Sequence, residues 1–219
     1  MNVMAGLKNK LKVSIREKMN PYLAPYRLQR LELMNRTFTI ISNNCWGGHV
    51  YRYFGLSYNS PTIGLFFFAQ DYIKFVENLP FYINKELSFI SLEESHYCDK
   101  LREYGGECIN CPIGRLADIE IIFMHYKTEN EAAAKWQRRV QRINWNNLIL
   151  KMSEQNGSTI NDLKAFDALP YKKKVLFVTR DYGLKSQVIF KEFMNRGNIP
   201  DDTSNFKRYV NLVDLINGK

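Results

Sequence analysis

Several residue types and patterns that would point to a particular class of protein are scarce in this sequence. Four cysteines in 219 residues are too few for a disulfide-stabilised scaffold, and no apolar run approaches the roughly 18 residues that a membrane span requires. Neither a G-x-G-x-x-G nor a Walker phosphate loop is present. The chain has only three histidines, His49, His96 and His125, so any histidine-dependent chemistry must use one of them. We therefore expect a globular protein without a cofactor.

The chain is strongly basic. Its 31 lysines and arginines against 22 aspartates and glutamates give a formal net charge of +9. This excess favours an anionic partner, which could be nucleic acid, a phosphorylated metabolite, a nucleotide-sugar or an anionic lipid surface. Hydrophobic residues make up 45% of the composition, which is enough for a chain of this length to bury a core without disulfides or metal.

Residues 1–20 have the pattern of a basic amphipathic helix. Met4, Leu7, Leu11 and Ile15 form a helical stripe, and basic residues fill most of the other positions. Two interpretations stay open: docking on an anionic membrane surface, or packing on the chain's own domain or on a partner chain. The interleaved lysines do not resemble a signal peptide. We expect a cytoplasmic location, with this helix as the means of any contact with the inner face of the membrane.

The remaining sequence alternates between strand and helix patterns. We divide the chain into an N-terminal helical extension, residues 1–35, and a single α/β domain, residues 36–219. Apolar runs predict strands at residues 37–41, 63–68, 88–91, 117–126 and 173–180. Amphipathic runs predict helices at residues 71–79, 129–153 and 186–194. Because long contiguous apolar strands are typical of a sheet covered on both faces, we expect a three-layer α/β/α fold with a mostly parallel sheet.

The first predicted strand, residues 37–41, runs directly into a polar turn and a glycine pair. Such a turn at the carboxyl end of a buried strand is where open α/β proteins place ligand sites. Cys45 in this turn is a candidate nucleophile, and a small buried hydrophobe is the alternative. Small polar side chains and unhindered backbone N–H groups also suit a phosphate or a sugar. The candidate substrate-binding residues of the turn are Ser42, Asn43, Asn44, Trp46, Gly47 and Gly48.

Other strand ends add candidates for the same site. Ser60 and Thr62 lie at a break before the second predicted strand. His125 and Tyr126 end the strand predicted at residues 117–126, and His125 is the preferred acid or base because histidine titrates near neutral pH. On the predicted helix that follows, guanidinium groups could hold a donor phosphate, or form a solvated basic face. These groups belong to Arg138, Arg139 and Arg142.

Three cysteines lie in an irregular segment. Cys108 and Cys111 form a C-x-x-C pair, and His96 and Cys98 precede them. A structural zinc site commonly uses two such pairs, and the second C-x-x-C pair is missing. Thiols in a loop are therefore the favoured interpretation, and we expect no metal.

Four sequence blocks resemble an uncharacterised bacterial family whose members are described as exopolysaccharide or capsule biosynthesis proteins. The blocks are ISNNCWGG (41–48), SPTIGLFF (60–67), DYIKFVENL (71–79) and the pair FMHY and KWQRRVQRIN (123–144). The resemblance covers about residues 37 to 180. It implies a three-layer α/β/α domain in a surface-polysaccharide setting, and a transferase that uses a nucleotide-sugar, a lipid-linked glycan or an activated acyl donor.

Two main hypotheses follow for the function. The first is a glycosyl- or acyl-transferase of surface-polysaccharide assembly that takes a phosphorylated or nucleotide-activated donor. The second is a non-catalytic basic module that binds or recruits other assembly proteins. Nucleic-acid binding is the least favoured, because the charge is present but no recognition motif is.

Overall fold

The computed structural model describes residues 24–219, together with Ile15 and Met19. The helix predicted over residues 1–20 lies almost wholly outside the described residues. The boundary drawn after residue 35 stays a prediction. Within the described part of the chain, no helix combines the length and apolarity needed to cross a bilayer.

Helices and strands alternate along most of the described chain. The helices are α1 (Ala24–Leu31), α2 (Trp46–Phe54), α3 (Ala69–Glu77), α4 (Leu79–Ile83), α5 (Cys98–Tyr104), α6 (Glu129–Val140), α7 (Ile160–Ala168) and α8 (Leu212–Asn217). The strands are β1 (Thr39–Ser42), β2 (Ser88–Ile90), β3 (Ile113–Leu116), β4 (Ile119–Ile122), β5 (Leu148–Ser153), β6 (Lys174–Val178) and β7 (Gln187–Ile189). Short 3-10 turns occupy Gly106–Ile109, Trp145–Asn147, Lys191–Phe193 and Phe206–Arg208.

The larger sheet is parallel, with strand order β1-β5-β6-β7. Its first strand pairs with β5 in a register that sets Ser42 beside Lys151. Because all four strands run the same way, their carboxyl ends lie along one side of the sheet. The expectation of a mostly parallel sheet is confirmed for this unit, and the strands predicted at residues 37–41 and 173–180 are β1 and β6.

Helices contact both faces of the parallel sheet. On one face, Ile40 and Phe177 pack with Trp46 of α2 and Leu212 of α8. On the other face, Ile41, Leu150 and Met152 pack with α3, α6 and α7. Contiguous apolar strand sequences therefore reflect burial on both sides, as expected for this kind of sheet.

A second, antiparallel sheet of order β2-β3-β4 was not predicted. The strand expected at residues 117–126 is β4, so it belongs to this sheet and not to the parallel one. Residues 63–68 were predicted to be a strand, and this was wrong. They are largely buried, yet only Phe66 forms an isolated bridge, to Ile122. Gly64, with a φ of +75°, breaks the extended conformation there.

The helices predicted at residues 129–153 and 186–194 were also wrong in part. The first ends at Val140, and its last six residues are β5, an interior strand of the parallel sheet. Its cap is Thr128, whose hydroxyl accepts from the Glu131 N–H at 3.2 Å. The second is strand β7 followed by a 3-10 turn.

Candidate functional site

A buried ion pair lies beneath the carboxyl ends of β1 and β5. The side chain of Lys151, on β5, is fully buried, and that of Asp202 is 2% exposed. The ammonium of Lys151 donates to the Asp202 carboxylate, and Ser153 also donates to it. Burial disfavours the ammonium and lowers the pKa of Lys151 to about 8, against the raising effect of Asp202. Sequence patterns did not find either residue as part of a site.

The two asparagines after β1 join this pair to the sheet. Asn43 is buried, and its amide bonds the backbone of Ser153 twice, each time at 3.2 Å. Asn44 donates to Asp202 at 2.7 Å, while its carbonyl oxygen accepts from Lys151 at 2.8 Å and from the Trp46 N–H at 3.1 Å. Asn44 therefore connects the ion pair to the first residue of α2.

Burial keeps the thiol of Cys45 protonated. It raises the pKa of Cys45 to about 11, with a further raising effect from Asp202 and a lowering effect from Lys151. The thiol donates to the Leu65 carbonyl at 3.8 Å. A resting thiolate at neutral pH is therefore disfavoured, since nucleophilic cysteines need a lowered pKa.

Ser60 and Thr62 bond the free edge of β1. Both hydroxyls donate to the Ile40 carbonyl, and the Thr62 hydroxyl also accepts from the Ser42 N–H at 3.1 Å. The Tyr51 hydroxyl donates to the carbonyl of Phe38, farther back along the same edge, at 2.9 Å. These hydroxyls satisfy the backbone groups that an edge strand leaves unpaired. Ser42, Ser60 and Thr62 are each fully buried, and none of them lines the cavities described below.

The residues that begin α2 pack the helix onto the sheet. Trp46 is fully buried, with its ring edge-on to those of Phe177 and Phe206. A Cβ on Gly47 would lie 3.2 Å from Ile40 Cγ2, so glycine permits the close approach of helix and strand. Of Trp46, Gly47 and Gly48, only Gly48 lines one of the two cavities described next.

Two adjoining cavities open beside this network, and they share Cys45, His49 and His125. We call them the cationic pocket, of about 340 Å³, and the aromatic pocket, of about 330 Å³. The cationic pocket is lined by Cys45, Gly48, His49, Arg52, Ile63, Gly64, His125, Tyr126, Lys135 and Arg139. The aromatic pocket is lined by Asn44, Cys45, His49, Phe66, Tyr104, Met124, His125, Gln155, Asn156, Pro200, Asp201, Asp202 and Thr203.

Arg139 is the most unusual residue of the cationic pocket. It is only 6% exposed, and its partners in the described part of the chain are neutral. Its guanidinium donates to the Tyr126 hydroxyl at 2.5 Å and to the Ile63 carbonyl at 3.2 Å, and it lies 5.3 Å from the centre of the Tyr58 ring. A buried cation without a carboxylate is costly unless an anion joins it.

The predicted arginine cluster comes together only in part. Lys135 and Arg139, one turn apart on α6, both line the cationic pocket. Arg138 is exposed and lines neither cavity, and Arg142 lies beyond the end of α6, where it is exposed and donates to the Tyr58 carbonyl at 3.5 Å. Of the three predicted arginines, Arg139 alone lines the cationic pocket, beside the partly exposed Lys135, whereas Arg138 and Arg142 agree with the alternative of a solvated basic face.

The candidate zinc ligands do not assemble. Within the described residues, no group of three or more histidine, cysteine or acidic side chains is close enough to hold a metal ion. Cys108 and Cys111 are buried, and the Cys111 thiol donates to the Cys108 carbonyl at 3.2 Å. His96 lies instead against Glu120, with 3.4 Å between Nδ1 and Oε1.

Sequence reasoning missed Lys151, Asp202, Arg52 and Tyr104. A lysine inside the apolar run LILKMS was a usable signal, because a charge in a buried strand requires a partner. That partner lies 51 residues farther along the chain, which no local pattern reveals.

Comparison with known proteins places the chain in a family. Residues 20–217 match the family described as "Domain of unknown function (DUF1919)". The chain is also 34% identical over 194 residues to a protein from Haemophilus influenzae (strain Rd) that carries the name "Uncharacterized protein", and the match covers 86% of each chain. The chain is therefore a member of the DUF1919 family.

Proposed function

We propose that this protein is a transferase of surface-polysaccharide biosynthesis that takes a phosphorylated or nucleotide-activated donor. The observation that carries the proposal is the buried guanidinium of Arg139 in the cationic pocket, which pairs with no carboxylate in the described part of the chain. The surface-polysaccharide setting comes from the resemblance of four sequence blocks, and the geometry supports the donor chemistry.

The cationic pocket suits a phosphate or diphosphate. Arg52, Lys135 and Arg139 line it together with two histidines, and no carboxylate is among the described residues that line it. Guanidinium groups bind phosphate oxygens in a bidentate manner. Lys135 pairs with Glu131 at 2.5 Å and is partly exposed, so it can turn towards a ligand at modest cost.

The two pockets provide the geometry for a transfer. A donor phosphate in the cationic pocket and an acceptor hydroxyl in the aromatic pocket would meet at the shared wall, where His125 is exposed. In the proposed step, His125 takes the proton of the acceptor hydroxyl, while the oxygen of that hydroxyl bonds to the carbon of the transferred group. The bond from that carbon to the phosphate-bearing leaving group breaks, and Arg139 stabilises the charge on the departing phosphate.

A ligand panel tests the donor part of this proposal. Purified protein is screened by thermal shift with nucleotide-sugars, nucleoside diphosphates and coenzyme A. At a hundredfold excess over Kd, a ligand stabilises the fold by roughly 2.7 kcal/mol. For a chain of this size, that corresponds to a rise in Tm of about 5–11 °C.

Two charge-matched variants on α6 locate the binding. Lys135→Gln removes a charge-assisted hydrogen bond, which is worth about 1.5–3 kcal/mol, so we expect affinity to fall about 10- to 100-fold. Arg138→Gln removes an exposed charge on the same helix outside the pocket and should change affinity little. A flat response of the wild-type protein across the panel would remove the donor proposal and favour the non-catalytic binding module.

A further inference from the structure

The aromatic pocket carries an inference about the acceptor, and this inference rests on the proposed function. The pocket adjoins the cationic one but has a different character. Among the described residues, its lining includes two carboxylates, three side-chain amides and the rings of Phe66 and Tyr104, and no lysine or arginine. A second anionic ligand is therefore disfavoured there, and a neutral ligand with many hydroxyls is favoured.

Tyr104 forms an exposed aromatic surface at this pocket. It is 47% exposed at the end of α5. Its ring lies 5.9 Å from that of Phe68 at an angle of 29°, and Phe68 in turn stacks on Tyr97 at 3.9 Å. Phe66 lies 6.4 Å away on the pocket wall. Rings packed behind it hold the orientation of Tyr104, so little freedom is lost when a ligand stacks on it.

Polar groups surround this aromatic surface. Asp201 is exposed and accepts hydrogen bonds from Thr203 and Ser204. Partial burial raises its pKa, but these hydrogen bonds together outweigh that effect and leave the pKa lowered. Asn156 has a left-handed backbone, with a φ of +54°. Its side chain donates to the Phe67 carbonyl at 3.1 Å. Gln155 lies half-buried on the same wall. Carboxylates and amides can both accept hydrogen bonds from hydroxyls, and amides can also donate to them.

We propose that the aromatic pocket binds a neutral pyranose ring of the acceptor, with the apolar face of the sugar on Tyr104. One side of a pyranose presents C–H groups, which match an aromatic ring. Its hydroxyls match the carboxylate and amides around that ring. A sugar held there places a hydroxyl towards the shared wall and His125. Tyr104 thereby determines acceptor specificity.

Titration of the free protein with simple sugars tests the proposal. The probes are methyl α-glucopyranoside, methyl β-galactopyranoside and N-acetylglucosamine, followed by saturation-transfer NMR. We expect at least one to bind the wild-type chain. Tyr104→Ala should weaken that binding at least tenfold, and Tyr104→Phe should keep it within a few-fold, because the ring is retained. Gln155→Ala, a second variant of the same wall, should weaken it several-fold.

Trp145→Ala is the control. Trp145 is 46% exposed and lies outside the residues that line the pocket, so its loss should leave sugar binding unchanged. No binding of any sugar up to its solubility limit, or equal binding by Tyr104→Ala and the wild type, would overturn the inference.

Screening the same samples by thermal shift with the donor panel distinguishes failure of the acceptor inference from failure of the proposed function. If donors bind and sugars do not, only the acceptor site is refuted. If sugars bind and donors do not, the transferase is refuted, and a sugar-binding pocket remains.

Discussion

Replacing Asp202 with asparagine isolates the buried charge pair beneath the candidate site. The substitution preserves shape but removes the negative charge that faces Lys151, which is fully buried. Asn44 and Ser153, which also donate to Asp202, lose a charged acceptor at the same time. Breaking a buried pair by removing one partner costs about 3–5 kcal/mol, because the other charge is left uncompensated. We expect Tm to fall by about 6–20 °C.

The pH dependence follows from the pKa of Lys151. Burial lowers it from 10.5 to about 8 in the folded chain. Between these values the unfolded chain holds a proton that the folded chain has released. The free energy of unfolding of the wild type therefore rises with pH in that window, by at most about 1.4 kcal/mol per pH unit. Without Asp202 the pKa falls further, so the stability of the variant should begin to rise below pH 8.

Urea unfolding followed by circular dichroism, at pH values from about 6 to 10, measures both effects. The loss in free energy of unfolding caused by Asp202→Asn should be largest at the lowest pH and should become smaller as the pH rises towards 8. The double variant Lys151→Met/Asp202→Asn should recover part of the loss, since it removes both charges. Asp118→Asn is the control, because its ion pair with Lys74 is exposed and should contribute about 1 kcal/mol or less. A deficit no larger than that of Asp118→Asn, or one that does not vary with pH, would refute the reasoning.

Two further predictions concern the start of α2. Because burial raises the pKa of Cys45 to about 11, we expect iodoacetamide at neutral pH to alkylate its thiol roughly 100-fold more slowly than an ordinary thiol. Peptide mass spectrometry measures the rate of alkylation. Labelling of Cys45 as fast as that of glutathione would contradict this prediction. Gly47→Ala should destabilise by about 1 kcal/mol, since its Cβ would crowd Ile40 at 3.2 Å. Gly48→Ala, with its closest contact at 3.5 Å, should be neutral or stabilising by about 0.5–1 kcal/mol; the reverse order in urea unfolding would contradict the packing argument.

Local patterns were sufficient for elements whose own composition marks their burial. The apolar run that became β1 was predicted, because burial on both faces leaves a direct mark in the sequence. The same holds for β6. Each of these elements has a composition that matches its final environment.

Predictions failed where distant contacts decided the conformation. Residues 148–153 follow a helical segment, and a short apolar run that contains Lys151 fits a continued helix as well as an interior strand. Their conformation depends on pairing with β1 and β6, more than 20 residues away in each case. The sheet assignment of residues 117–126 failed for a different reason: β4 pairs with β3 in a tight hairpin that was not predicted, so His125 follows a strand of the second sheet.

The candidate site shows the same limit. The sequence pointed to Cys45 and His125, and both lie on the wall shared by the two pockets. Thr62 and Ser60 instead hold the edge of β1. Arg139 was one of three arginines that seemed equivalent in sequence, and only its burial against Tyr126 distinguishes it.

A crystal structure with a bound nucleoside diphosphate would show whether the cationic pocket binds a donor phosphate, because the chain has a second basic cavity that could bind it instead. That cavity, of about 400 Å³, is lined by Lys207 and Arg208 together with Gln29 and Tyr53. We expect the diphosphate in the cationic pocket, within hydrogen-bonding distance of Arg139 and beside His125. A diphosphate found against Lys207 and Arg208, with the cationic pocket unchanged, would contradict it.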